Sequence, residues 1–530
     1  MAPLRLAFLT ASMMSKDNVR VGNDLTSAPA VAITPMDSSS GKVTAANEVI
    51  AMNASAASKS SNTAVSTSLQ SNVAQEESGP IHFCFIVHGH QGKPTDLSYL
   101  HHAIKDKAYE HGGFATTKSS EKCIVGRNNN SHDDDMASDG SDSNRANQEE
   151  IVQTSVEEII IGESKRSSTF IVHNAVCNEG STHDGVEKGG ERLANEMLEV
   201  IRDEIGQRTQ THKHQDVTIS IVGNSLGGLY GRYAVAKLDE LLFASDEHDT
   251  KVAPHYILDD NIRLHFNVFC STASPHLGCA DRTYFPIPRF AEVGIATCLG
   301  ETGRDLFRVN DLMKTMATSP KYTRPLALFR KRIAYANAYG TDFVVPGSTA
   351  AFLDDSSDSL HYFDADLESI EEETQSQQQA ADRVCPATEQ GLFVATCYTP
   401  RQSMTDLEPS GSELEVMSKT LDSLGWTKVF VDLRKGIPIS AKVPIVSNSS
   451  PDTCPVRRLS TNRKVATSKD LCSAISSGRG GRVTVPLGHN AIIAFKRGSF
   501  RTAFNKGGRP VADSLAINLI EDISMWTQNV

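Results

Sequence analysis

Short apolar runs rich in β-branched and aromatic residues recur along the chain, and amphipathic stretches separate them. Ile81 to Val87, Phe170 to Val176, Val217 to Val222, Asn267 to Ala273, Arg332 to Ala338 and Trp426 to Leu433 read as strands. Pro94-Thr95-Asp96-Leu97 carries a helix-start signal, and a polar loop after Asp184 becomes an amphipathic helix that continues to about Ile205. Leu229, Tyr233, Ala236 and Leu238 line one side of a further helix, and Ala512, Leu515, Ala516, Leu519, Ile520 and Ile523 one side of a closing helix over about 510–525. Strands alternating with helices at roughly thirty-residue spacing imply right-handed crossovers. The expected fold is α/β, with a mostly parallel central sheet covered by helices on both faces.

Polar stretches without period interrupt this pattern. Residues 1–79 are rich in Ser, Ala, Asn and Thr and read as a disordered tail, its first fourteen residues preferred as the start of that tail over a weak targeting presequence. The folded part is then 80–530. Insertions are expected at about 120–150, 353–390, 400–420 and 445–480. The run Asp133-Asp134-Asp135 lacks the turn glycine and ligand spacing of a calcium loop, so no metal is expected there.

Composition narrows the partners. The chain has 530 residues, 52 basic against 64 acidic, for a formal net charge of −12. That balance, without a Lys/Arg-rich run, argues against nucleic acid. The 10 cysteines show no C-x-x-C pair and read as reduced thiols of an intracellular protein, with Cys385, Cys397, Cys454 and Cys472 open to pairing in an oxidising compartment. No run of eighteen apolar residues exists, so no membrane-spanning helix is expected. The sequons at Asn53, Asn129 and Asn448 read as chance matches.

The chemistry centres on Gly223-Asn224-Ser225-Leu226-Gly227, directly after the strand Val217 to Val222. A bare G-x-S-x-G arises by chance in about one chain in five of this length, so its setting between a strand and a helix carries the signal. A strand that reverses into a helix within a few residues strains the serine backbone and leaves space only for hydrogen at Gly223 and Gly227. Ser225 is thereby exposed as a nucleophile, and the Leu226 amide at the helix start points where an oxyanion forms. His88-Gly89-His90-Gln91-Gly92 follows the first strand as the loop that donates a second oxyanion amide, from His90; His88 reads as structural. Asp342, past a strand end and after the nucleophile, sits where the acid of a triad is expected, and only His361 and His489 follow it. His489, in the loop after a late strand, is preferred as the base over His361 within the acidic insertion.

These motifs, with Asp184-Gly185, Gly190-Glu191-Arg192-Leu193-Ala194, Arg232-Tyr233-Ala234, Ser274-Pro275-His276-Leu277-Gly278, Thr302-Gly303-Arg304-Asp305-Leu306-Phe307 and Tyr335-Ala336-Asn337, resemble the putative serine esterase family. These are lipase-like α/β-hydrolases of fungi, plants and protists. The resemblance covers about 80–350 continuously and 420–525 in pieces. It implies an α/β-hydrolase fold with a lid at about 280–330, although ordinary core helices account equally well for the second half of that segment. It implies hydrolysis of carboxylic esters, most of all lipid acyl esters, by Ser225, Asp342 and His489 through an acyl-enzyme, with no cofactor. Asn224 stands where many members have His. The expected partner is a lipid or small ester, and the expected place the cytoplasm, with peripheral attachment to a membrane or lipid droplet through the apolar stretch Phe285 to Cys298. Two alternatives stay open: a catalytically degenerate fold that binds lipid or acts as a scaffold, and an acyltransferase or thioesterase using the same triad.

Overall fold

Among the described residues, eleven strands pair in one sheet, and the six at its centre run parallel. The structure, a computed structural model, describes residues 79–112, 158–161, 168–206, 215–242, 255–259, 261–282, 287–338, 342, 345–363, 392–403, 411–433, 440–441, 455–477, 483–484 and 488–528. Residues 1–78 of the expected tail, the insertion at 120–150 and the three sequons lie outside the described residues.

In chain order, β1 (Ile81–Val87) leads to α1 (Ser98–Gly112), and β2 (Glu158–Ile161) to β3 (Ser168–Asn174) and α2 (Val186–Gly206). β4 (Gln215–Asn224) runs straight into α3 (Leu226–Leu242), followed by β5 (His255–Leu258) and β6 (Ile262–Thr272). Four helices, α4 (Arg289–Cys298), α5 (Gly300–Leu306), α6 (Leu312–Thr318) and α7 (Pro320–Ala327), precede β7 (Lys331–Asn337). The remainder includes β8 (Leu360–Phe363), β9 (Phe393–Tyr398), α8 (Glu413–Asp422), β10 (Thr427–Val431), β11 (Ser440–Ala441), α9 (Pro455–Asn462), β12 (Val465–Thr467), α10 (Ser468–Ser477) and β13 (Val483–Thr484). α11 (Gly488–Ala491), α12 (Gly498–Asn505) and α13 (Arg509–Gln528) close the chain.

The sheet order is β12-β8-β9-β10-β7-β6-β4-β1-β3-β2, with β5 on the first half of β6. From β1 the chain steps to β3 on one side, then returns to β4 on the other. Successive crossovers therefore diverge between β1 and β4, and a crevice opens at the carboxyl ends of those two strands. Side-chain alternation covers both faces. Ile81, Phe83, Phe85 and Val87 of β1 share one core with Leu193 and Met197 of α2 and Leu229 and Tyr230 of α3. Cys84 and Ile86 point to the other core, built by Leu100 and Ile104 of α1 and Leu515 and Leu519 of α13. Strands buried on both faces account for the continuous apolar runs of the sequence.

Three expected insertions need correcting. The stretches expected as insertions at 353–390, 400–420 and 445–480 are partly built into the fold. Leu353, Asp354 and Ser357 are buried ahead of β8; α8 buries Met417 and Leu421 behind a Ser412–Glu415 capping box; and Leu471 and Ile475 of α10 enter a third core cluster with Ala336 and Phe430. Apolar positions at helical spacing, Met417 with Leu421 and Leu471 with Ile475, were hidden among Ser, Thr and Asp. Residues 364–391, 404–410, 445–454 and 478–480 lie outside the described ones. The second half of the 280–330 segment is core, since Met313, Met316, Tyr322 and Leu326 join the cluster around α3. Phe290 of α4, in the first half, is 81% exposed. The cysteines also bear on the fold: Cys397 and Cys472 are buried and in no disulfide, whereas Cys385 and Cys454 are outside the described residues.

Several histidines are sealed in this interior. Burial pushes His82 down to about 3 and holds His276 and His361 well below the ordinary histidine range. Each is neutral in the fold but binds a proton near pH 6.5 when unfolded, so its stabilisation is complete above that pH and declines as pH falls toward the folded-state value. The slope approaches about 1.4 kcal/mol per pH unit for each group. The urea midpoint is expected to fall steeply below pH ~6.5; a midpoint that holds steady down to pH ~5 would contradict this account.

Candidate active site

Ser225 sits between β4 and α3 with φ of +56°, the left-handed backbone a sharp strand-to-helix reversal demands. A Cβ at Gly223 would lie 2.5 Å from the Gly228 backbone, and one at Gly227 would lie 2.2 Å from the Val87 carbonyl oxygen. Only hydrogen fits at either place. The Ser225 amide donates to the Thr272 carbonyl at 2.8 Å, and Gly228 N–H donates back to the Ser225 carbonyl at 3.2 Å, which fixes the turn to the sheet. Asn224 accepts from Thr272 Oγ1 at 2.9 Å and ties the ends of β4 and β6 together.

The structure brings Ser225, His489 and Asp342 into one chain of hydrogen bonds. His489 Nε2 lies 2.8 Å from Ser225 Oγ, and its Nδ1 lies 2.9 Å from Asp342 Oδ2. Asp342 is itself held from two sides, by Val345 N–H to Oδ1 at 2.8 Å and by Asn337 Nδ2 to Oδ2 at 3.1 Å. An ionised carboxylate only accepts, so Asp342 selects the tautomer with the proton on Nδ1 and leaves the Nε2 lone pair free to accept from the Ser225 hydroxyl. Ser225 and His489 are each 8% exposed and Asp342 2%, so the array meets solvent only at its edge. His489 lies in the single turn of α11, not in an open loop. His361 bonds elsewhere: its ring faces Lys428 Nζ at 2.8 Å and the Ser359 carbonyl at 3.1 Å.

The loop after β1 closes the other side of Ser225. Gly92 N–H donates to the Gly89 carbonyl at 3.0 Å in a tight turn that carries Gln91 at φ +52°. A Cβ on Gly89 would lie 2.7 Å from Ser225 Cβ, so the turn backbone rests against the serine with no side chain between. Among the described residues, neither the Leu226 amide nor the His90 amide donates to a protein acceptor. His88 is buried, with Nδ1 donating to the Gly89 carbonyl at 3.0 Å, a structural role as read from the sequence. Burial and then the adjacent His183 ring at 4.6 Å push the His90 imidazole down to about 4, against the Thr182 backbone, so it is neutral near pH 7.

Two supports of this site carried no recognisable sequence signal. Arg497 Nη2 donates to the Gln91 carbonyl at 2.8 Å, while its Nε donates to Asp96 Oδ1 at 2.9 Å. Asp96, buried, in turn accepts from the Lys93 amide at 2.7 Å, so the segment after His489 is tied to the turn beside Ser225. Asn337 is the other: it stood in the quoted motifs without a role, and it orients the Asp342 carboxylate. No spacing rule links residues four hundred positions apart, so the Arg497–Asp96 pair is visible only in the fold. Among the described residues no three His, Cys, Asp or Glu side chains converge as a metal site, and no helix is long and apolar enough to cross a membrane.

A family model described as Putative serine esterase (DUF676) matches residues 136–353. The matched stretch takes in Ser225, both elbow glycines and Asp342; the turn after β1 and His489 lie outside it. No curated protein matches this sequence. Over residues 136–353 the matched description is that of the putative serine esterase family that the motifs resemble.

Proposed function

We propose that the protein is a serine hydrolase that cleaves carboxylic esters, most of all lipid acyl esters, on an α/β-hydrolase fold. The observation that carries this is the chain Ser225–His489–Asp342 on a strained elbow at the divergence of β1 and β4. Ser225 Oγ attacks the ester carbonyl carbon while His489 Nε2 takes its proton, and Asp342 stabilises the imidazolium so formed. The Leu226 and His90 amides stabilise the tetrahedral oxyanion. The intermediate collapses, His489 protonates the departing alcohol, and an acyl-Ser225 remains. Water, deprotonated by His489, then attacks the acyl carbonyl, and Ser225 recovers its proton as the acid leaves.

The preference for a lipid acyl group rests on the first half of the lid segment. α4 presents Phe290 and Val293 outward, and its junction with α5 abuts the turn region, since a Cβ on Gly300 would lie 2.8 Å from the carbonyl oxygen of His183, which packs on His90. An exposed apolar helix whose end abuts the turn region suits an aliphatic chain better than a polar acid. Hydrolysis of p-nitrophenyl esters by the purified chain is expected to rise in kcat/KM from acetate to long acyl chains. A profile that falls with chain length would move the substrate to small esters, and a folded protein that turns over none of them would overturn the hydrolase reading.

A further inference from the structure

From Gly488 to Ala512 the chain carries Lys496, Arg497, Arg501, Lys506 and Arg509 and no Asp or Glu, in a protein of net charge −12. This segment spans α11, which bears His489, and α12, which follows it. α12 buries Phe504 and Asn505 against the body and turns Phe500 outward, 74% exposed. Lys496, Lys506 and Arg509, just before and after it in the chain, are exposed as well. Arg497 is engaged with Asp96, and Arg509 lies over the Tyr99 ring at 4.8 Å, near Asp513, which accepts from Tyr99. The face is therefore most cationic at the Lys496–Phe500–Lys506 end.

We propose that this face docks the protein on an anionic lipid bilayer, with Phe500 inserted shallowly and the surrounding cations on the headgroups. A lone aromatic wedge flanked by cations matches an interface that is apolar just beneath a negative surface. A nucleic acid would meet the same cations, but it offers Phe500 no apolar layer. Location adds to the argument. A Cβ on Gly508 would lie 1.4 Å from the Ala491 carbonyl oxygen, so the basic segment is packed directly on the helix of His489, and Arg497 reaches the turn beside Ser225. Docking here places the mouth of the site at the lipid surface. This role rests on the esterase reading, but the binding itself does not.

The test is co-sedimentation of the full-length Ser225→Ala protein with vesicles of phosphatidylcholine alone or mixed with phosphatidylserine, which needs no turnover. Binding is expected only to the mixed vesicles and to weaken as salt is added. Lys496→Glu/Lys506→Glu is expected to lower the partition coefficient at least ~30-fold, and Phe500→Ser about tenfold. Placed in the active chain, the same substitutions leave hydrolysis of a soluble short-chain ester unchanged. Equal binding to neutral vesicles, no binding to the mixed ones, retention by nucleic acid in their place, or indifference to all three substitutions would each overturn the proposal. Vesicle binding that persists in a protein with no ester turnover would leave it standing while the esterase reading fell.

Discussion

The Ser225→Ala variant is expected to lose about a millionfold in kcat for ester hydrolysis while its melting temperature stays within a few degrees of the wild type. On the proposed mechanism the activity falls because Oγ is the atom that bonds to the acyl carbon, and among the described residues His489 Nε2, 2.8 Å away, has no other hydroxyl as a hydrogen-bond partner. The fold survives because alanine keeps the Cβ already accommodated beside Gly89 and imposes no new backbone demand at φ +56°. Turnover of a p-nitrophenyl ester, read beside a thermal melt, checks both halves. Retained turnover would remove Ser225 from the mechanism.

Asp342→Asn is expected to lower kcat about ten-thousandfold with little change in KM. The carboxylate accepts hydrogen bonds from Val345 N–H, Asn337 Nδ2 and His489 Nδ1 among others. An amide in its place has one accepting atom. If that atom keeps Val345, the amide NH₂ group faces His489 Nδ1 and Asn337 Nδ2, which forces the ring proton onto Nε2 and removes the base from Ser225. Steady-state kinetics with a soluble ester measures the effect, and a loss of less than about tenfold would show that Asp342 does not govern the tautomer.

How far the sequence reveals this site depends on how local each determinant is. β1 spans the residues read from its apolar run, and β4 extends that reading by two residues at each end, because a strand buried on both faces leaves an unbroken signal. Ser225 is legible because Gly223 and Gly227 record a steric demand within five residues. His489 is legible only through chain order, with two histidines left after Asp342. What escaped reading is non-local or short. β8, β9 and β12 extend the sheet antiparallel with few residues each, and Leu360-His361-Tyr362-Phe363 looks like loop until its partners are known. Lys428, a cation in the strand β10, is explained only by Asp422 and His361 meeting it in the interior. The same holds for Arg497, whose partner Asp96 lies at the far end of the chain.

The central claim is that Ser225 is a nucleophile activated by His489. Labelling the folded protein with a fluorophosphonate and mapping the modified peptide tests it without any assumption about substrate. The account predicts a single adduct on Ser225, absent in Ser225→Ala and much slower to form in His489→Ala. A folded protein that takes no label, or takes it on another serine, would contradict it.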